Sequence, residues 1–163
     1  MSFPINCKIS SDINVLNKYN KLYEWIPNEL NIRHIESVLN DKAALLNKIK
    51  LWYVSMLDYI LITIFGAQEN LSDEGKIYAS EKKKYKNNYK FTKNIFPYNL
   101  PNDTNHYIMW FYGEKIIDTD INDNISIEIT KLKGDNNFKF IWYKNPKMNI
   151  SEIYHVQVFW ISD

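Results

Sequence analysis

The sequence predicts an α+β fold, in which N-terminal helices pack on a small, mainly antiparallel sheet built from the C-terminal third. Three aromatic-rich segments, 106–112, 138–143 and 154–160, indicate the strands of that sheet. Upstream of them, apolar residues recur at helical spacing over 41–66. Helices that precede a run of strands are typical of the α+β class.

The whole chain, 1–163, is expected to form a single domain, because its length suits one hydrophobic core. Residues 1–66 are predicted to be mainly helical, 67–95 to form a polar, lysine-rich connection, and 96–163 to form the sheet. Hydrophobic residues make up 45% of the chain and charged residues 24%. These fractions are close to the average for globular proteins and argue against disorder over the whole chain.

Apolar spacing predicts three helices in the N-terminal part, over 12–23, 30–39 and 41–66. Asp41 is the expected N-cap of the longest helix, and Gly66 is the expected C′ residue after it. A run rich in β-branched residues near the end of this helix would also fit a strand.

Alternation along the three strands predicts which side chains share a face of the sheet. The face expected to pack on the long helix carries Ile108, Trp110, Phe140, Trp142, Val156, Val158 and Trp160. His155, Gln157 and Phe159 then lie on the opposite face, turned away from the helices. We expect His106 and His155 to approach each other on that opposite face.

Between the first two of these strands, the pattern leaves one segment open. Residues 118–124 are acidic and rich in Asn, which predicts a loop. Residues 125–132 alternate as in a strand, but their isoleucines also fit one face of a helix. Residues 134–137 have the composition of a turn.

Composition and charge limit the classes of binding partner and the cellular compartment that we expect for this chain. The net charge is +1, so the chain as a whole gives no argument for nucleic acid or a membrane, and no segment is long and apolar enough for a membrane span. Arg33 is the only arginine among 20 basic residues, which disfavours bidentate phosphate clamps. With Cys7 as the lone cysteine and no visible signal peptide, a reducing, cytoplasmic location is expected. Abundant Asn, Ile, Lys and Tyr indicate an AT-rich genome, such as that of a protist or of a large DNA virus infecting one.

An ordered set of motifs carries a family resemblance. Residues 96–101 read Phe-Pro-Tyr-Asn-Leu-Pro and are followed by His106 and Trp110. Residues 142–145 read Trp-Tyr-Lys-Asn, and 151–159 begin with Ser and carry a histidine near their end. This order resembles the DUF3605 family, also labelled N-acetylglucosamine-induced protein 1-like.

The resemblance covers roughly residues 40–160 and has two departures. The His-x-His of the family is His155-Val156-Gln157 here, and the basic residue that often ends its last strand falls near Ile161. If the histidine pair and the basic residue form an active site in the family, the site of this chain is altered or inactive. The resemblance implies no established reaction, so it sharpens the choice of site residues more than the function.

His106 and His155 are the candidate catalytic residues, since histidine exchanges protons near neutral pH and two on neighbouring strands can share a ligand phosphate or a water. The structural alternative is that each binds a backbone carbonyl or lies in solvent. Gln157 keeps hydrogen bonding but cannot titrate. The predicted ligand-binding residues are Tyr98, Lys144, Asn145 and Gln157.

The leading hypothesis is a pocket for a small anionic or sugar-like molecule, with no cofactor. Whether it catalyses turnover is left open. A calcium-loop pattern over 118–129 lacks the glycine and the terminal glutamate that it needs, and no zinc pattern is present. Two rival hypotheses remain. One is a non-catalytic interaction protein, of viral origin or not, that binds a host partner through the lysine-rich segment 82–93 or an exposed aromatic patch, and the other is a nucleotide or RNA binder that stacks bases on tryptophans.

Overall fold

A five-stranded sheet lies at the centre of the fold. The computed structural model describes residues 7–8, 35–80, 89–98, 100, 103–112, 118–143 and 153–162. Its helices are α1 (Glu36–Trp52), α2 (Met56–Thr63) and α3 (Asp118–Lys133). Its strands are β1 (Cys7–Lys8), β2 (Glu69–Leu71), β3 (Ile77–Ala79), β4 (Tyr89–Lys93), β5 (Asn105–Phe111), β6 (Phe138–Tyr143) and β7 (Tyr154–Ser162). The α+β class and the three predicted strands are confirmed.

The strand order of the main sheet is β1-β6-β7-β5-β4. Only the contact between β1 and β6 is parallel, and the other three pairings are antiparallel. The long strands β5 and β7 pair at the centre, with Ile108 opposite Gln157 and Trp110 opposite His155. Residues directly opposite each other in a ladder point to the same face, so this register decides which side chains meet.

The register corrects the predicted faces. Ile108 and Trp110 share a face with His155 and Gln157, not with Val158. The alternation within each strand is as predicted, but β5 and β7 pair in the register that brings the other face of β7 beside Ile108 and Trp110. The face that carries the two histidines is the one that packs on α2, so it is not turned away from the N-terminal helices.

Helix α3 covers the other face of the sheet. Its Ile121, Ile125 and Ile129 are fully buried and pack on the core residues of the three long strands. Spacing of four residues puts these side chains on one helical stripe, which settles the open interpretation of 125–132 in favour of a helix. The predicted loop 118–124 is wrong, because it forms the first turns of α3. Asp120 lies in the first turn, where a carboxylate favours the helix N-terminus.

The predicted helix over 41–66 is interrupted. Its first part belongs to α1, which begins at Glu36, so Asp41 is not the N-cap. Tyr53 forms a bridge to Ile77 and leaves the helical path. A new helix, α2, then begins after Ser55, whose hydroxyl accepts a 3.2 Å hydrogen bond from the N–H of Asp58.

The β-branched run at the end of this region is helical, as α2. Gly66 follows it with a φ of 73°, a left-handed conformation that glycine adopts without strain. The connection predicted at 67–95 contains the hairpin of β2 and β3 as well as the edge strand β4. The helix predicted over 12–23 and residues 30–34 lie outside the described residues. Within the described ranges, no helix has the length and apolar character needed to cross a membrane.

Candidate functional site

A cavity of about 820 Å³ lies between helices α1 and α2 and the sheet face that carries the histidines. That volume falls in the range of small-molecule sites, roughly 300–1,000 Å³. The helices α1 and α2 are joined at 53–55, and Tyr53, Val54 and Ser55 of this junction line the cavity. The sheet and the following loop contribute its floor, which includes Thr92, Asn94, Tyr98, Ile108, Trp110, His155 and Gln157.

Helix α1 and the junction to α2 form the opposite wall. Leu45, Leu46 and Ile49 recur along one side of α1 and line the cavity. From α2, Ile60 is buried and Tyr59 is partly buried, and both line it as well. Aliphatic side chains predominate in this wall, while the side-chain amides of the cavity, Asn94 and Gln157, are on the sheet side.

The cavity is positively charged. Lys42, Lys50 and Lys93 line it, and among the described lining residues there is no aspartate or glutamate. Burial lowers the pKa of Lys42, because a charged ammonium loses hydration in the cavity wall. A bound anion would supply the counter-charge that Lys42 lacks among these neighbours.

His106 lies behind the floor rather than in it. Its Nδ1 accepts a 3.2 Å hydrogen bond from the backbone N–H of Tyr98, so Nδ1 carries no proton. The proton of the neutral ring is therefore on Nε2, which lies 2.6 Å from Oε1 of Gln157 and donates to it. The ring also stacks on Phe159, with centroids 4.4 Å apart. A second proton on Nδ1 would point at the N–H of Tyr98.

Asn94 lies beside the same imidazole. Its Oδ1 accepts a 2.8 Å hydrogen bond from the N–H of Phe96, which fixes the orientation of its amide. Its Nδ2 then lies 3.2 Å from Nε2 of His106. Since that Nε2 carries a proton, it cannot accept a hydrogen bond from Asn94. The two groups are both donors and lie side by side without a hydrogen bond between them. The amides of Asn94 and Gln157 therefore flank one ring nitrogen, and both line the cavity.

His155 lies in the floor next to Trp110, with ring centroids 5.0 Å apart. Its Nδ1 is 3.0 Å from the carbonyl oxygen of Ile153. A carbonyl oxygen only accepts, so Nδ1 donates and the lone pair of the neutral ring is on Nε2. In this tautomer, His155 can accept a proton or a hydrogen bond through Nε2.

The two histidines do not converge as expected. His106 is opposite Phe159 and His155 is opposite Trp110 in the same ladder. Four residues of extended strand separate the two positions, about 13 Å at the usual rise per residue. Gln157 lies between them, so a single ligand could touch Gln157 and His155 while His106 acts through Gln157.

The structure brings together three of the predicted ligand-binding or catalytic residues, Tyr98, His155 and Gln157, around one cavity. Lys144 and Asn145 lie outside the described residues. Within the part of the chain that is described, no group of three or more His, Cys, Asp or Glu could hold a metal ion.

The tryptophans proposed for base stacking are buried. Trp110, Trp142 and Trp160 are each at most 8% exposed. Trp142 and Trp160 belong to the core against α3, and Trp110 donates a 3.0 Å hydrogen bond from Nε1 to Oγ1 of Thr92. None of the three presents an open ring face on the surface.

Sequence reasoning missed Thr92, Asn94 and the wall formed by α1. Thr92 and Asn94 belong to the predicted polar connection, whose pairing with β5 gave no strong pattern. The signal that could have identified β4 is the alternation of Tyr89, Phe91 and Lys93 just before the prolines.

No family model matches this chain, and no curated protein matches it. Among solved structures, the chain is similar to the crystal structure of HTC1, with 14% sequence identity and a TM-score of 0.50. The alignment covers 96% of this chain and 85% of that chain. At this identity the likeness shows the fold alone.

Proposed function

We propose that this protein binds a small anionic molecule in the cavity between α1, α2 and the sheet. The observation that carries the proposal is the combination of a cavity of about 820 Å³ with three lysines and two side-chain amides in its lining. Cavities of this kind, apolar with a few convergent polar groups, are the usual form of small-molecule sites. The predicted anionic ligand fits the lysines, and a sugar-like ligand would face a helical wall in which aliphatic side chains predominate.

Catalysis is a narrower proposal that rests on His155. Its tautomer leaves Nε2 as the accepting atom, and its ring lines the cavity. His106 is less suited to acid–base chemistry, since the N–H of Tyr98 opposes its protonation. We therefore assign His155 as the general base if the bound ligand is turned over.

We also propose that the chain is a divergent relative of the DUF3605 family. Tyr98, His106 and His155, which carry part of that resemblance, all lie at or directly behind the cavity. Gln157, where the family has histidine, binds the ring of His106. The grouping of these residues around one cavity supports the proposal.

Binding can be tested with three commercial anions of different shape: glucose 6-phosphate, AMP and decanoate. Thermal unfolding and isothermal titration calorimetry would measure stabilisation and affinity, because a ligand that binds only the folded state raises its stability. We expect at least one anion to bind the wild type. The Lys42→Glu/Lys50→Glu variant should bind it several-fold more weakly, since both changes put negative charge in the lining.

Lys48→Glu is the matched control. Lys48 is an exposed residue of α1 that does not line the cavity, so the same chemical change there should leave binding unchanged. The proposal fails if none of the three anions binds. It also fails if the double variant binds as tightly as the Lys48→Glu control.

A further inference from the structure

We infer that the side-chain amide nitrogens of Asn94 and Gln157 form a donor pair for one oxyanion, and that the ligand is an organic acid with an apolar body. The inference rests on the proposed function and names the ligand class of that site. His106 acts as a positioning residue: it orients the amide of Gln157 and does not touch the ligand.

The orientation of Gln157 follows from a chain of hydrogen bonds. The N–H of Tyr98 donates to Nδ1 of His106, and Nε2–H of His106 donates to Oε1 of Gln157. An amide that uses its oxygen to accept must present its NH₂ group elsewhere. Rotating the amide by half a turn would set the NH₂ of Gln157 against the N–H of His106, so the assigned orientation is the only one that satisfies both.

Gln157 is only 7% exposed and lines the cavity. Within the described residues, Nε2 of Gln157 makes no hydrogen bond, and it is not among the fully enclosed polar atoms that lack a partner, so it remains accessible from the cavity. A ligand oxygen in the cavity can accept from it. This accessible donor supports a ligand with an acceptor atom at the floor.

Asn94 supplies the second donor. Its oxygen is fixed by the N–H of Phe96, and its Nδ2 cannot donate to the protonated Nε2 of His106. Its Nδ2 lies 3.2 Å from Nε2 of His106, and Oε1 of Gln157 lies 2.6 Å from the same atom, so the two amides are neighbours at the cavity floor. Two neighbouring amide donors match the acceptor oxygens of a carboxylate.

The other lining residues indicate the charge of the ligand and the character of its body. Lys42, Lys50 and Lys93 favour a negative charge, and the described lining contains no carboxylate to bind a ligand hydroxyl or ammonium. The wall formed by α1 and α2 is largely apolar, and two of its hydroxyls, on Ser55 and Thr63, already donate to Asp58 and to the carbonyl oxygen of Tyr59. An aliphatic or aromatic acid satisfies both surfaces, whereas a sugar phosphate satisfies only the charge.

The test compares decanoate, 1-decanol and decylamine, which share one apolar chain and differ in the head group. Titration calorimetry on the full chain should show that decanoate binds most tightly, decanol at least tenfold more weakly, and decylamine not measurably. A carboxylate accepts hydrogen bonds and carries a negative charge. An alcohol can accept a hydrogen bond but has no charge, and an ammonium group can only donate.

Gln157→Glu and Asn94→Asp are the decisive variants, because each replaces a donor by an acceptor of nearly the same shape. Both keep the oxygen that accepts within the protein, so the fold should survive. We expect each to weaken decanoate binding by about 10- to 100-fold, the usual effect of a hydrogen bond to a charged group. Gln68→Glu makes the same change at an exposed residue outside the cavity and should have no effect.

The positioning role of His106 has its own readout. Long-range ¹H–¹⁵N NMR at neutral pH should show the ring of His106 as the Nε2–H tautomer. His106→Gln, which can place an amide N–H near Nε2, should retain more decanoate affinity than His106→Leu.

The outcomes distinguish a failure of the organic-acid inference from a failure of the proposed function. If glucose 6-phosphate or AMP binds the wild type and decanoate does not, the pocket stands and the organic-acid inference is overturned. Equal decanoate affinity of wild type, Gln157→Glu and Asn94→Asp also overturns it, as does a neutral His106 ring with its proton on Nδ1. If none of the anions binds, the proposed function itself is lost.

Discussion

Asp58 accepts a 2.9 Å hydrogen bond from the backbone N–H of Ala79, and this bond ties the start of α2 to strand β3. Its other carboxylate oxygen accepts a 2.6 Å hydrogen bond from the hydroxyl of Ser55. Asp58 is fully buried, while Ser55 lines the cavity. One carboxylate therefore holds the junction between the helices, and with it the wall of the site.

Asp58→Ala should destabilise the protein by about 3 kcal/mol, because it removes hydrogen bonds to a charged group and leaves buried donors unpaired. Urea unfolding would measure the change in the free energy of unfolding. Glu74→Ala, an exposed residue in the hairpin turn, is the control and should stay within about 0.5 kcal/mol of wild type. A loss below about 1 kcal/mol for Asp58→Ala would mean that the junction does not depend on this carboxylate.

The isoleucines of α3 allow a test that distinguishes the helix from a strand. In a strand, Ile125, Ile127 and Ile129 would share one face, but in α3 only Ile125 and Ile129 are buried and Ile127 is 48% exposed. Ile125→Ala should cost roughly 2–5 kcal/mol and Ile127→Ala less than about 1 kcal/mol. Chemical denaturation of both variants measures the difference, and similar losses at the two positions would contradict the helix.

This segment shows where sequence reasoning was sufficient and where it was not. The three strands were predicted from their high content of aromatic and β-branched residues, which suits a largely buried sheet. Residues 125–132 satisfy both the period of two and the spacing of four. Only the fold decides between them: the segment covers one face of the sheet as a helix, with Ile121, Ile125 and Ile129 packed on the core.

The site was predictable in part for a similar reason. His155 and Gln157 stood out as polar residues in an apolar strand, and the structure places both in the cavity floor. Which face they share with β5 depends on the strand register, and no pattern within one strand encodes the register of its partner. Asn94 and the lysines of the lining are ordinary surface residue types, so their role follows only from the packing of β4 and α1 around the cavity.

Tyr89 connects β4 to α3 and makes stability dependent on alkaline pH. Its hydroxyl donates a 2.9 Å hydrogen bond to Oε1 of Glu128. Burial, together with the hydrogen bond to Glu128 and the charge of Glu128, raises the pKa of Tyr89 to about 12. A tyrosine in the unfolded chain titrates near about 10.

The folded state therefore favours the neutral phenol. The stabilising contribution of Tyr89 is fully present below about pH 10 and is lost as the pH rises towards about 12. Free energies of unfolding measured over this range should fall more steeply for wild type than for Tyr89→Phe, which has no phenol to ionise. Lysine titration affects both proteins alike, so parallel curves for the two would contradict the assignment.

Trp110 and Thr92 form the last pair that can be measured, across β4 and β5 in the cavity floor. Nε1–H of Trp110 donates a 3.0 Å hydrogen bond to Oγ1 of Thr92. Thr92→Val keeps the shape of the side chain but removes the acceptor, so the buried indole N–H is left unpaired at a cost of about 1–3 kcal/mol.

In the background of Trp110→Phe, which has no N–H, the same Thr92→Val change should cost less. A double-mutant cycle from urea unfolding should give a coupling of about 1 kcal/mol between the two residues, because a removed donor no longer needs its acceptor. Strictly additive losses would show that the indole finds another partner or water in the cavity when Thr92 is replaced, and the hydrogen bond would then have no part in fixing the floor of the site.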